Sequence, residues 1–83
     1  MQRYFMHLYN SHGFLPDHEG VLAPGQDEAR ALAIANIRSI LSEELLIGRL
    51  DLRARLEVVD ESGATVLTVP FSHAVTIMIG EAS

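Results

Sequence analysis

Apolar positions change their spacing along this chain, and the changes divide it into elements. Residues 3 to 9, Arg-Tyr-Phe-Met-His-Leu-Tyr, are aromatic and apolar with no Gly or Pro, which predicts a strand. Tyr4, Met6 and Leu8 fall on one face, and Phe5, His7 and Tyr9 on the other. Large groups on both faces predict a central strand. Asn10-Ser11-His12-Gly13 is turn chemistry. A second strand within residues 14 to 23 is interrupted by Pro16 and Gly20, so it should be short, bulged and at a sheet edge.

From residue 26 the spacing becomes helical. Ala29, Ala33, Ile37, Ile40, Leu41 and Leu45 form one stripe with Ile34 on its flank, which predicts a helix over 26–47 that ends at Gly48. Asp27 and Glu28 sit in the first turn, where the helix dipole favours anions. Leu32 and Leu46 lie off the stripe, so part of the outer helix face should also be covered. Residues 52–59 and 64–71 return to a period of two. A Ser62-Gly63 turn would pair Val58 with Leu67, Leu56 with Val69 and Ala54 with Phe71 on one face. It would pair Val59 with Val66, Glu57 with Thr68 and Arg55 with Pro70 on the other. Residues 72–79 fit either a short helical turn capped by Ser72 or a further strand.

These elements make an α+β domain over residues 1–83, in the order β-β-α-β-β. The expected sheet is antiparallel and four-stranded, order 2-1-3-4, with the helix on one face. The helix stripe should cover Tyr4, Met6, Leu8, Leu56, Val58, Leu67, Val69 and Phe71. The other face would carry Phe5, His7, Tyr9, Val59 and Val66, with nothing but residues 72–79 left to cover it. An uncovered cluster of that kind marks an interaction surface. A chain of 83 residues buries only about 60–65% of its unfolded surface alone. Both points predict a homo-oligomer, a dimer, with Val75 and Ile77 as further contributors at the edge.

Charge and composition narrow the chemistry. Six arginines and no lysine stand against eleven carboxylates, a formal charge of −5. That balance disfavours nucleic acid and anionic membranes as partners. No apolar run approaches the roughly 20 residues of a membrane span, and the first residues lack the apolar stretch of a secretory leader, so a cytoplasmic location is expected. The absence of cysteine excludes disulfides, thiolate metal sites and thiol catalysis. The absence of lysine excludes a Schiff base.

Among candidate sites, His7, His12, Asp17, His18 and Glu19 are types that ligate divalent metals, but their spacing matches no established motif. No metal or cofactor is therefore expected, and the polar residues read as a solvated edge. Ser11-His12 and Ser72-His73 have no activating acid placed with them, so no enzyme is expected. Arg49, Arg53 and Arg55 are the one basic concentration. They would bind an anion or nucleic acid, or form cross-strand ion pairs.

Together, Arg3-Tyr4-Phe5-Met6-His7-Leu8, Leu56-Glu57-Val58, Asp60-Glu61-x-Gly63 and Val69-Pro70-Phe71-Ser72-x-Ala74-Val75 resemble a family of small bacterial proteins filed as a domain of unknown function. The resemblance covers nearly the whole chain and implies one small cytoplasmic domain, without implying a chemistry. Pro16-Asp17-His18-Glu19-Gly20 ahead of the helix is more distantly similar to antitoxin-like domains, which would imply a regulator that binds nucleic acid or a toxin-like protein. The favoured expectation is a non-enzymatic module for self-association or protein interaction.

Overall fold

The computed structural model describes residues 1–80. Strands β1 (Gln2–Asn10), β2 (Gly13–Leu15) and β3 (Val21–Ala23) precede helix α1 (Gln26–Leu46); β4 (Arg55–Val59), β5 (Thr65–Pro70) and a 3₁₀ turn, η1 (Phe71–Ala74), follow it. β1 is central. It pairs antiparallel with β4 along one edge and with β2 and then β3 along the other, and β5 joins β4. The fold is α+β, with an antiparallel sheet of five strands rather than the four expected.

The extra strand arises because the expected second strand breaks. Leu8 faces Leu15 and Tyr4 faces Val21, so the five residues Pro16 to Gly20 stand against only three of β1, Phe5 to His7. Two surplus residues cannot follow a pleated ladder, and Pro16 has no N–H to contribute. The chain bulges out and rejoins the same edge as β3.

α1 crosses from β3 to β4 over β1 and buries Ala29, Ala33, Ile37 and Leu41 against the sheet. Tyr4, Met6, Leu56, Val58, Val69 and Phe71 meet them from the sheet, with Leu8 and Leu67 half-buried beside them. Leu45, expected on the stripe, is exposed. In the last turn of the helix it is Glu44, half-buried, that faces the body, lining a cavity with Leu8, Asn10 and Ala54. The helix stops one residue earlier than expected, at Leu46. There the Gly48 N–H donates to Leu45 O and the Arg49 N–H to Glu44 O, both at 3.0 Å, which satisfies the last carbonyls.

The β4–β5 register follows the expected pairing from Arg55 to Val58, and the Phe71 N–H continues it by donating to Ala54 O at 3.0 Å. Beyond Val58 it departs. Val59 pairs with Thr65, not Val66, and Val66 is a bulge that packs against the core instead of lying on the open face. The turn is the cause. Asp60 N–H donates to Ala64 O at 2.9 Å, closing a three-residue loop of Glu61, Ser62 and Gly63, with Gly63 at φ +89°. The Asp60 carboxylate holds that loop by accepting from Ser62 N–H, Ser62 Oγ–H and Ala64 N–H.

Residues 72–79 are neither strand nor helix throughout. Phe71 and Ala74 are buried in η1, which packs on α1, while the Ser72 side chain caps nothing. From Val75 to Gly80 the chain has no regular structure. No helix among the described residues is long and apolar enough to cross a membrane.

Candidate functional site

The sheet face turned away from α1 is covered by no second layer among the described residues. Phe5, His7 and Tyr9 from β1 share it with Arg55, Glu57 and Val59, their pairing partners on β4. β2 adds Phe14, opposite Tyr9. The Phe14 ring lies 4.7 Å from Tyr9 and 5.5 Å, edge-on, from His7. The Arg55 guanidinium sits 4.3 Å over the Tyr9 ring and reaches Glu57 at 3.4 Å. The result is an aromatic strip, His7–Phe14–Tyr9, closed at one end by a stacked cation. Phe14 is its most open member, at 48% exposure. Of the five expected surface residues, Phe5, His7, Tyr9 and Val59 lie here, each partly exposed, and Val66 does not.

Phe14 was absent from the expected surface because its neighbours Pro16 and Gly20 marked the segment only as irregular. The missed signal was the turn. Asn10 Oδ1 accepts from both His12 and Gly13 N–H groups, which folds β2 tightly back and sets Phe14 beside Tyr9.

The histidines and carboxylates singled out as metal-ligating types have different tasks. His7 Nδ1 accepts the Asp17 N–H at 2.9 Å. The Asp17 carboxylate accepts Met6 N–H at 3.0 Å through one oxygen, and Glu19 and Gly20 N–H at 3.2 and 3.1 Å through the other. Met6 N–H is a ladder donor that the strand break leaves without a backbone partner, and Asp17 replaces that partner. His12 and His18 are exposed loop residues. Among the described residues no group of three or more such side chains is placed to hold a metal ion. Ser11, His12, Ser72 and His73 are likewise exposed, in the β1–β2 turn and in η1.

Gly20 completes this knot. It has φ +75°, and a Cβ there would stand 2.9 Å from Tyr4 O and 3.1 Å from Phe5 Cδ1. The bulge therefore presses directly on β1 beneath the open face.

Of the basic cluster, Arg49 is exposed, while Arg53 and Arg55 are engaged locally. Arg53 is held by Asp51 through Nε–Oδ1 and Nη2–Oδ2, both 2.9 Å. The Arg53 side-chain hydrogen bonds, with its backbone N–H, hold the Asp51 carboxyl well below the usual carboxylate range. For Asp17, partial burial alone would raise the pKa. The N–H groups of Met6, Gly20 and Glu19, with His7, outweigh it and the value falls. Asp60 is lowered chiefly by the Ser62 hydroxyl and the Ala64 N–H.

A carboxylate with a lowered folded-state pKa stabilises the fold above its unfolded value and ceases to do so as pH falls through the folded value. All three aspartates shift the same way from 3.8. The stability these aspartates contribute should therefore be fully present above about pH 5 and drop steadily below about 4. Melting followed by circular dichroism across that range checks this, and Asp17→Asn should flatten the acid limb.

The model of a family described as Domain of unknown function (DUF6894) matches residues 3–72. The chain belongs to this family. No curated protein and no solved structure matches it. The DUF6894 match runs from β1 into η1, so it takes in the whole open face, the Asp17 knot and α1.

Proposed function

We propose that this chain is a non-enzymatic association module, and that a second copy of itself covers the aromatic strip. The uncovered strip of Phe5, His7, Tyr9 and Phe14, with Phe14 half exposed, is the observation that supports the reading. Rigid aromatic side chains on a sheet offer large contact area at small entropic cost.

The size of the surface sets the strength. Four strands spaced about 4.8 Å apart and about 20 Å long give a footprint near 400 Å². That is about half of what each partner contributes to a standard interface. The dimer should be reversible, with a dissociation constant in the micromolar range or weaker. The nucleic-acid alternative has less support, because Arg53 is tied to Asp51 and Arg55 to Tyr9 and Glu57.

Sedimentation velocity at increasing concentration tests the reading. The wild type should self-associate, and Tyr9→Ser/Phe14→Ser should do so much more weakly. Two copies each carrying −5 repel, so added salt should strengthen the dimer modestly, whereas binding to a phosphate backbone would weaken with salt. A wild type that remains monomeric, or a double variant that dimerises as the wild type does, refutes the assignment. Dissociation by EDTA would direct attention back to the histidines.

A further inference from the structure

On the other side of the sheet, α1 leaves a strip uncovered. Leu32, Asn36 and Ile40 on one flank of the helix, with Leu8, Leu15 and Val21 on the sheet, enclose an open groove of about 490 Å³. Leu32 and Leu15 on its walls are 40% and 59% exposed. The charged side chain lining it is Asp17, whose carboxylate is already turned to backbone N–H groups.

The same chain carries an apolar segment that leaves its core after Val75, which still packs against it. After η1, Val75 is extended, at φ −141° and ψ 156°, and Ile77, Met78 and Ile79 are exposed at 52%, 88% and 88%. Val75-Thr76-Ile77-Met78-Ile79 has no charge. It leaves the body on the far flank of α1 from the groove. Arg38 Nε holds Ala74 O there at 2.7 Å, and Arg38 lies about 200° around the helix from Asn36. The four free residues 76–79, fully extended, span about 13 Å. Half the circumference of a helix about 10–12 Å across is already about 16–19 Å, so the segment would be used up before it reached its own groove.

We propose that residues 76–79 of a second copy lie in this groove, and that the two copies exchange tails reciprocally. Side chains 77 and 79 would point into the groove and Met78 away from it, as an extended segment alternates. The groove wall is small, so the two contacts together bury much less than a standard interface and the exchange is weak and reversible. This surface is separate from the aromatic strip, which lies across the sheet, and the inference does not depend on it.

The absence of cysteine makes the test direct, because Met78→Cys gives a single point for a nitroxide label. Spin-labelled chain at natural isotope abundance is mixed with unlabelled ¹⁵N chain. The amides of Leu15, Val21 and Leu32 in the ¹⁵N copy should lose intensity. Ile77→Asp/Ile79→Asp in the spin-labelled copy, or Leu32→Glu in the ¹⁵N copy, should restore it by weakening the contact about tenfold or more. Losses seen only when label and ¹⁵N share one chain would show the tail folding onto its own body and overturn the exchange, as would losses that survive Leu32→Glu. Tyr9→Ser/Phe14→Ser must leave the losses in place. If they vanish with it, the groove is not an independent interface and the proposal fails. If they persist while sedimentation shows no effect of that double variant, tail exchange stands and the aromatic-face reading falls.

Discussion

Replacing Ile37 with alanine should cost about 3–4 kcal/mol, within the usual 2–5 kcal/mol for truncating a buried isoleucine to alanine. Ile37 is fully buried at the middle of α1. Its partners along the buried stripe are Ala29 and Ala33, which seat the helix close to the sheet but carry little side chain of their own. Ile37 and Leu41 therefore supply most of the helix's contribution to the core. The facing residues Leu56, Val58 and Val69 belong to paired strands and cannot move in to fill the space. A domain of this size holds about 4–12 kcal/mol in total, so the variant keeps only part of its margin. Urea denaturation should show the midpoint falling with an unchanged slope. Ile37→Val should cost about 0.5–1.5 kcal/mol, and truncating the exposed Leu46 to alanine almost nothing. A loss below about 1 kcal/mol for Ile37→Ala would mean that the helix is held by something other than this stripe.

That stripe was plain in the sequence because Ala29, Ala33, Ile37 and Leu41 repeat at four-residue spacing. The central position of β1 was plain from its two apolar faces, and the Arg55–Val58 register from alternation. Three features were not. Ser62-Gly63 reads as a two-residue turn, but the Asp60 carboxylate organises a wider loop, and the bulge that follows carries Val66 to the core. Leu45 kept the helical spacing but is exposed, because in the last turn Glu44 takes the inward place, which a polar residue does not announce. Pro16 and Gly20 announced a broken strand without saying what spans the break. Asp17 looked like a solvated charge because a side chain that satisfies backbone donors has the same sequence signature as one facing water. His7 and Asp17 did come together, as a metal site would require, but through a backbone N–H rather than a shared ion.

The second large effect is expected at Asp17 itself. Its carboxylate accepts three backbone N–H groups at 3.0–3.2 Å across the gap between β2 and β3, where His7 Nδ1 on the Asp17 N–H and the Arg3 guanidinium on Glu19 O assist it. Hydrogen bonds to a charged acceptor contribute about 1.5–3 kcal/mol each when well formed. Asp17 is half-buried, and the Glu19 N–H is exposed and can turn to water. The sum is therefore well under three full bonds, and Asp17→Ala should cost about 2–3 kcal/mol, or roughly 8–20 °C in melting temperature for a domain this small. Asp17→Asn keeps one acceptor oxygen but loses the charge and the second acceptor. It should fall between wild type and alanine at pH 7 and draw closer to wild type as pH falls below about 4 toward the lowered native value. The effect should also be local. Amide exchange should quicken at Met6 and Gly20, whose N–H groups lose their acceptor, well before it quickens at Val58 in the core. Because the same knot fixes His7 and presses Gly20 against Phe5, loosening it should blur the aromatic strip and weaken association through that face, although Asp17 is not part of the strip. An Asp17→Ala protein with wild-type stability would show that the strand break needs no clamp and that the carboxylate is free for another task.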